Sequence, residues 1–499
     1  MDTLSLLIGG FSEALTPMNL LWSLVGVVLG TVVGVLPGLG TAMAIALLVP
    51  VTFQLDPTGA FIMFAGVYFG GQFGAATTAI LLNTPGQSSS MATAFEGYPM
   101  ARNRRAPQAL ATAVIGSFLA SVVAVTLVVF FSPVMVQLAV GFGPAEYFAL
   151  TVLAFLATSG VVSGDVLRGV SALGIGLALA LVGIDEQTGT VRFAFGTTQL
   201  FGGISIVVVT VGLLAIGEVL HMAARSRSNP ATETITSGTP WLNRRDLGRS
   251  WLPWLRGTAV GVPFGVIPAG GAEIPTFLSY GMEKSLAARR GSSEFGRGAI
   301  EGVAGPEAAN NATTATSLVP LLSLGLPTSA TAAIMLGAFQ QYGIRPGPLL
   351  FTQEADLVWA LLASLFIGSV ILLVLNLPFA PVWAKLLRIP RNYLYAGIVV
   401  FATLGVYTAR SALSDVVLLY LVGALGFLLR RYGFPIAPVL IGVILGPLAE
   451  TSLRRAMAMG QGDVGILFSS PYTLGLYAIM VAAAVAMIIT RTRKRRIST

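Results

Sequence analysis

Hydroxyl and amide side chains gather at two turns, one in each half of the chain, and each turn separates two apolar segments. The first turn supplies the candidate binding residues Asn83, Thr84, Pro85, Gly86, Ser88 and Ser89, and the second supplies Pro327, Thr328 and Ser329. A helix that starts just after such a turn directs free N–H groups and the positive end of its dipole towards the turn, which attracts carboxylates. The two turns are therefore predicted to bind an organic anion. An ordinary loop with helix caps is the alternative interpretation.

Glycine and proline interrupt one apolar stretch ahead of each turn, in GVLPGLGT from Gly34 and in GVIPAGG from Gly265. Proline removes a backbone donor and glycine relaxes the chain, so carbonyl and N–H groups are left unpaired at one depth. Lipid supplies no water to satisfy such groups, which restricts these breaks to places buried in protein or lining a wet cavity. Paired breaks indicate a central transport site. A kinked packing helix is the alternative for either break alone.

Adjacent asparagines lie in GPEAANNATT from Gly305, between the second break and the second turn. Oxygen atoms of Asn, Thr and interrupted backbone suit a hard cation such as sodium. The predicted cation-binding residues are Gly38, Gly40, Thr41, Gly270, Gly271, Asn310, Asn311 and Thr313. Hydrogen bonding between helices is the alternative role of the asparagine segment. Glu273, Glu301 and Glu307 could each bind a proton or cation, or pair with an arginine at a membrane edge.

The composition excludes several classes of protein. Of the 499 residues, 55% are hydrophobic and only 10% are charged, which is far below the usual share for a soluble protein. The chain has no cysteine and one histidine, so disulfides, thiolate metal sites and HExxH pairs are excluded. No GxxxxGK[ST] motif is present, so P-loop ATP hydrolysis is excluded as well. We expect no cofactor except a coupling sodium ion or proton, and no nucleic acid partner.

The apolar segments predict an all-α polytopic membrane protein with between about 11 and 15 membrane segments. Arginine and lysine in the loops 101–105, 223–256, 284–297 and 385–391 and in the C-terminal tail predict that these parts are cytoplasmic. The N-terminal stretch and residues 185–196 are predicted to be external. Residues 449–472 are counted as external although they contain Arg454 and Arg455.

The two halves are predicted to be related by an inverted repeat. A basic segment follows the first turn, whereas the segment after the second turn has one arginine and two acids and is therefore expected on the other side. We predict a first inverted repeat over 1–222, a cytoplasmic linker over 223–256, a second inverted repeat over 257–452, and an extra terminal helix with a basic tail over 453–499. Each repeat should contain broken helices and a re-entrant hairpin.

Six segments in both halves resemble the large membrane subunit of the tripartite tricarboxylate transporters. They are GVLPGLG (34–40), YFGGQFGAATTAILLNTPGQ (68–87), AFEGYP (94–99), GPEAANNA (305–312), LGLPTSATAAIMLGAF (324–339) and GIRPGPLLF (343–351). The resemblance implies an elevator-type carboxylate carrier that works with a small four-helix membrane subunit and a periplasmic solute-binding protein. It also implies inward movement of citrate or another organic acid with sodium or protons.

We therefore expect a secondary transporter for organic carboxylates in a bacterial inner membrane, with a cytoplasmic C-terminus and a periplasmic N-terminus. The protein is not expected to be an enzyme. Two other hypotheses are an intramembrane enzyme that uses Glu273 or Glu301 as acid and base, and a passive channel or scaffold. Nothing in the spacing of the acidic residues indicates a catalytic carboxylate pair, and channels usually repeat by subunit symmetry.

Overall fold

The computed structural model describes residues 3–36, 38–84, 86–160, 165–185, 187–225, 240–267, 271–386, 390–482 and 485. Most of these residues are helical. The only strands within the described ranges are β1 (Gly183–Ile184) and β2 (Val191–Arg192), which pair antiparallel. The prediction of an all-α protein is thus confirmed.

The first half of the chain consists of ten helices and one π-helical turn. They are α1 (Thr3–Ala14), α2 (Pro17–Val35), α3 (Thr41–Thr52), α4 (Pro57–Leu82), α5 (Met91–Arg102), α6 (Ala106–Val140), α7 (Pro144–Gly160), α8 (Val166–Ala180), α9 (Ile206–Val211), the π-helical turn Gly212–Ile216 and α10 (Gly217–Arg225). Short 3₁₀ turns lie at Ser88–Ser90 and Thr198–Leu200.

The second half begins with α11, which starts at Arg244 inside the predicted linker 223–256. Its helices are α11 (Arg244–Val266), α12 (Glu273–Arg289), α13 (Glu301–Thr316), α14 (Leu318–Leu324), α15 (Ala330–Gln341), α16 (Leu350–Gln353), α17 (Ala355–Leu386), α18 (Arg391–Arg410), α19 (Leu413–Arg431), α20 (Ile436–Met459) and α21 (Pro471–Ala482). A 3₁₀ turn lies at Val464–Phe468.

Eight helical stretches in the described ranges are long and apolar enough to cross a membrane. They are Pro17–Val35, Pro57–Leu82, Ala106–Val140, Ile206–Ala224, Ala355–Trp383, Tyr393–Arg410, Leu413–Arg431 and Ile436–Met459. Four shorter apolar helices accompany them. A chain with so many apolar helices is a multi-pass membrane protein.

Helices α2 and α4 approach each other at backbone distance because glycines line the contact. Gly26, Gly30 and Gly34 follow one another at four-residue spacing, which places them on one face of α2. A methyl group at Gly30 would lie 2.5 Å from the carbonyl oxygen of Val67, and one at Gly34 would lie 2.3 Å from that of Gly71. Since both residue numbers rise together along the contact, the two helices run parallel.

The pair α11 and α13 repeats this contact in the second half. A methyl group at Gly257 would lie 2.2 Å from the Gly305 carbonyl oxygen, and one at Gly261 would lie 2.4 Å from that of Ala309. Gly265 lies in the same way against Thr313 and Thr316. In each half, therefore, a glycine-faced helix runs parallel to a buried partner and ends at a break. Small residues at four-residue spacing are the usual device for close helix contact in membranes.

The remaining helices form two packed groups joined through α3 and α15. One group packs α1, α6 and α17 around the two glycine-faced pairs, and the other packs α7, α8 and α19 with α20 and with the stretch from α9 to α10. Helix α3 packs on α4 of the first group and on α9 of the second, and it contacts α15, which packs on α20. These two short helices thus lie between the groups.

Ion pairs and hydrogen bonds gather the basic loops at one end of the molecule. Arg105 pairs with Asp246 at 2.8 Å, Asn103 donates to the carbonyl oxygen of Arg297 at 3.0 Å, and Arg249 pairs with Glu301 at 2.8 Å. Arg249 also hydrogen-bonds Glu294, which lowers the pKa of that carboxyl group. The loops near residues 103, 246 and 297 therefore share one end.

Other contacts involve segments that are predicted to be external. The hydroxyl group of Tyr342 donates to the carbonyl oxygen of Thr52, and Arg454 pairs with Asp185 at 2.8 Å. Arg192 pairs with Glu450 at 2.8 Å. Arg454 is therefore neutralised by Asp185 and by Glu450.

Gly30→Ala is predicted to destabilise the protein by about 1–3 kcal/mol, because the added methyl group forces α2 away from α4. Gly174→Ala is the matched control, since nothing lies within 4 Å of a methyl group at Gly174 in α8. The measurement is the apparent melting temperature of the purified protein in detergent. Equal melting temperatures for the two variants would contradict the close contact.

Candidate functional site

Four helix starts, two from each half, meet in one cluster. They are the starts of α3, of the 3₁₀ turn Ser88–Ser90, of α12 and of α15. Helix α3 begins at Thr41 after the first break, and the Thr41 hydroxyl lies 3.0 Å from that of Thr331 in the first turn of α15. Thr41 also donates to the Gln87 side-chain oxygen at 3.4 Å. On the other side, Ser88 donates to the carboxylate of Glu273, the first residue of α12, at 2.6 Å. Each break therefore lies against a turn of the other half.

Tyr68 and Gln72, one helical turn apart on α4, line the same cluster. The Tyr68 hydroxyl lies 3.2 Å from that of Ser329 and 3.3 Å from that of Ser317. Ser89 donates to the Gln72 side-chain oxygen at 3.2 Å. Both residues lie within the segment YFGGQF, but the sequence reasoning did not name them as site residues. A polar side chain within a 26-residue apolar helix is the feature of the sequence that could have identified them.

The electrostatics of the cluster combine helix starts with one carboxylate. The first N–H groups of α3, α12 and α15, and of the turn before α5, have no partner within their own helices except where a cap supplies one. Such a cap is seen at Ser329, whose hydroxyl accepts from the Ala332 N–H at 3.1 Å. Glu273 contributes negative charge, and its Oε2 is buried without a hydrogen-bond partner in the described part of the chain. The arrangement can thus hold an anion at the helix starts together with a cation or proton at Glu273.

The predicted anion-binding residues divide into two sets. Ser88, Ser89 and Ser329 lie in the cluster, and Thr328 is buried beside them, as are Pro327 and Gly86. Asn83 and Thr84 instead lie on the exposed side of the first turn, where the Thr84 hydroxyl donates to the Leu82 carbonyl oxygen at 3.3 Å. The chain doubles back after Leu82, so only the later residues of the turn reach the cluster. Pro85 lies outside the described residues.

The glycines predicted to bind a cation lie at the two breaks. Gly40 caps the start of α3 beside Thr41, and Gly271, with φ of 94°, lies next to Glu273 and Ser329. Gly38 turns the chain with φ of 88° and faces the side chain of Met222. Gly270 lies outside the described residues.

The asparagine segment is fully buried on α13, and its members face different helices. Thr313 donates to the carbonyl oxygens of Gly261 at 3.0 Å and Ala309 at 2.7 Å, which makes it part of the contact with α11. Asn311 donates to the Ser117 hydroxyl of α6 at 2.7 Å. Asn310 is 0% exposed, and neither polar atom of its amide has a partner among the described residues.

Helix breaks with buried polar groups, enclosed by apolar helices, are typical of membrane transporters. The chain belongs to the tripartite tricarboxylate transporter TctA family, whose model matches residues 20–441. This is a family of transporters, so the comparison is consistent with a protein that is not an enzyme.

Two similar proteins come from Agrobacterium vitis. One, described as an uncharacterized 52.8 kDa protein in the TAR-I ttuC′ 3′ region, is 44% identical over 497 residues, which covers 99% of this chain and 98% of that protein. The other, described as an uncharacterized protein in the TAR-II ttuC′ 3′ region, is 42% identical over 232 residues, or 46% of this chain and 95% of that protein. No solved structure matches the chain.

Cysteines at positions 41 and 331 are predicted to form a disulfide, because the two hydroxyl groups that they replace lie 3.0 Å apart. The chain has no native cysteine, so the double variant Thr41→Cys/Thr331→Cys contains only this pair. The measurement is the loss of maleimide labelling after mild oxidation and denaturation. The control pair Thr41→Cys/Thr313→Cys should stay reduced, since Thr313 faces α11; equal oxidation of both pairs would contradict the contact.

Proposed function

We propose that this chain is the transport pathway of a tripartite system, a secondary transporter that imports an organic carboxylate with a sodium ion or a proton. The observation that carries the proposal is the meeting of four helix starts, contributed by both halves, around buried hydroxyl groups. Helix starts bind carboxylates through free N–H groups and through the helix dipole. Membership of a transporter family supports the same conclusion.

The substrate's carboxylate groups would contact the hydroxyl groups of Ser88, Ser89, Thr328 and Ser329 and the N–H groups that follow them. Glu273 would then carry a cation or a proton, since a second negative charge at the same place is otherwise repelled. Further cation ligands are proposed at the breaks and on α13. Energy would come from the ion gradient.

We also propose that the halves are inverted repeats. The contacts near residues 103, 246 and 297 lie where α5 ends and where α11 and α13 start. The contact between Thr52 and Tyr342 lies near the start of α4 and the end of α15. In the proposed repeat α13 corresponds to α4, and α15 corresponds to α5. Helix α13 then begins at the opposite end from α4, and α15 ends at the opposite end from α5, which supports opposite orientation of the two halves in the membrane. The basic end would be cytoplasmic by the positive-inside rule.

Movement of the substrate would follow an elevator-type shift of the group that carries the turns against the other group. The position of α3 and α15 between the two groups supports this, because these helices carry Thr41 and Thr331. A small four-helix membrane subunit and a periplasmic solute-binding protein are the proposed partners, and the bacterial inner membrane is the proposed location.

The direct experiment is uptake of organic acids into proteoliposomes that contain the partner proteins. Uptake that ignores both sodium and proton gradients would refute ion coupling.

Ser88→Ala and Thr328→Ala are each predicted to raise the KM for the carboxylate about tenfold or more, because a hydrogen bond to a charged group contributes about 1.5–3 kcal/mol. The measurement is the concentration dependence of uptake in proteoliposomes. Ser364→Ala is the control, since the Ser364 hydroxyl donates within α17 to the Leu361 carbonyl oxygen at 2.7 Å. If both site variants have the KM of the control, the assignment of the turns as the substrate site is wrong.

Single cysteines are predicted to report the orientation of the halves. Arg102→Cys and Ser292→Cys, both at exposed positions near the basic end, should react with a membrane-impermeant maleimide only from the cytoplasmic side. Gln54→Cys and Gln353→Cys, which are exposed near the other end, should react only from the periplasmic side. Labelling of Arg102→Cys and Gln353→Cys from the same side would contradict the inverted arrangement.

A further inference from the structure

Glu307 is a carboxylate without a neutralising partner in the middle of α13. It is 0% exposed, and its Oε1 accepts a hydrogen bond from the Thr93 hydroxyl at 2.5 Å. Its Oε2 is buried and has no partner within the described ranges. No salt bridge reaches Glu307 from the described lysine, arginine and histidine side chains. A buried negative charge in this state is costly unless something else compensates it.

Glu96, another carboxylate that is 0% exposed, shows what a structural role requires. It accepts from the Tyr280 hydroxyl at 2.9 Å and from the backbone N–H groups of Gly296, Gly298 and Ala299. Four donors spread its charge and fix the loop before α13 onto α5. Glu307 has only the Thr93 and Ser117 hydroxyl groups beside it, and no backbone N–H among the described residues donates to its carboxylate, so hydrogen bonding of the kind that satisfies Glu96 does not account for it.

Two neighbouring amides present further oxygens without partners on the same face of α13. Asn310 and Asn311 follow Glu307 by three and four residues, which is the spacing of side chains that share a helix face. Asn311 donates from Nδ2 to the Ser117 hydroxyl at 2.7 Å and to the Glu307 carbonyl oxygen at 3.0 Å, while its Oδ1 has no described partner. Both polar atoms of Asn310 are without one, so either orientation of this amide presents an oxygen.

We infer that Glu307, Asn310 and Asn311 form a binding site for one monovalent metal cation between α13, α5 and α6. Hard cations take oxygen ligands from carboxylate and amide groups. A single positive charge balances the single carboxylate, whereas a divalent ion would leave a net charge buried. A proton would satisfy only the Oε2 atom of Glu307, whereas one metal ion can be coordinated by that oxygen and by the side-chain oxygens of Asn310 and Asn311. The Thr93 and Ser117 hydroxyl groups flank the site.

The site also suggests how a cation acts on the anion-binding turn. Thr93 belongs to α5, which begins directly after the 3₁₀ turn Ser88–Ser90. A cation at Glu307 therefore fixes the arm that carries Ser88 and Ser89, so each ligand favours binding of the other. This coupling role rests on the transport function proposed above, whereas the cation site itself rests only on the contacts of α13. Thr313, which bonds to α11, takes no part in it.

Cation binding is tested on the purified chain in detergent, without substrate or partner proteins. Sodium chloride is the probe, and choline chloride at equal ionic strength is the reference, with potassium chloride as a second metal cation. The expected result is a rise in melting temperature with sodium or potassium that saturates with concentration in the wild type. Glu307→Gln and Asn311→Ala should lose this rise. Asn376→Ala is the matched control, because Asn376 is also a buried asparagine whose Oδ1 lacks a described partner, but it lies on α17.

The inference is overturned if neither metal cation stabilises the wild type more than choline does. It is also overturned if Glu307→Gln retains the full response, or if Asn376→Ala loses it together with Asn311→Ala. Absence of a wild-type response is decisive by itself, and Asn311→Ala tests the site if Glu307→Gln fails to fold. Saturable cation binding combined with uptake that ignores ion gradients would refute the coupling role and leave the site in place.

Discussion

The backbone contact between α2 and α4, and its counterpart between α11 and α13, is the constraint on which the rest of the structure depends. Apolar side chains gain little by leaving lipid for another apolar surface, so helices in a membrane associate through close packing. Gly30 and Gly261 allow that packing because any side chain there would overlap a carbonyl oxygen of the partner helix. The same contacts fix which part of the partner helix lies beside the end of each glycine-faced helix.

The position of the breaks follows from these contacts. Gly34 lies against Gly71, and a methyl group at Gly86 would lie 2.1 Å from the Gly34 carbonyl oxygen, so the end of α2 and the returning first turn meet. In the second half Gly265 lies against Thr313 and Thr316 of the partner helix, as Gly34 lies against Gly71. Since each short helix after a break packs on an arm of the other half, the two halves can place their helix starts together only by folding as one unit. Backbone groups that would be costly in lipid are thereby buried within protein.

Much of the architecture could be predicted from the sequence. Apolar length and scarce charge predict a multi-pass helical protein, and Gly–Pro interruptions identify the breaks near Gly38 and Gly271 because local backbone chemistry alone produces them. The turns could be located for the same reason. The partners of the turns could not, since the contacts of Thr41 with Thr331 and of Ser88 with Glu273 join residues that are far apart along the chain. Asn83 and Thr84 show the limit, because composition does not tell which residues of a turn face inwards.

The acidic residues show most clearly what each level of description decides. The sequence by itself determined that Glu273, Glu301 and Glu307 lie near or within apolar segments. Only the tertiary structure decided that Glu301 pairs with Arg249, that Glu273 meets a hydroxyl of the other half, and that Glu307 is buried with only hydroxyl groups beside it. The reason is physical: helix breaks and apolar segments depend on residue types close together in the chain. Neutralisation of a buried charge depends instead on which side chains packing brings within about 3 Å of it.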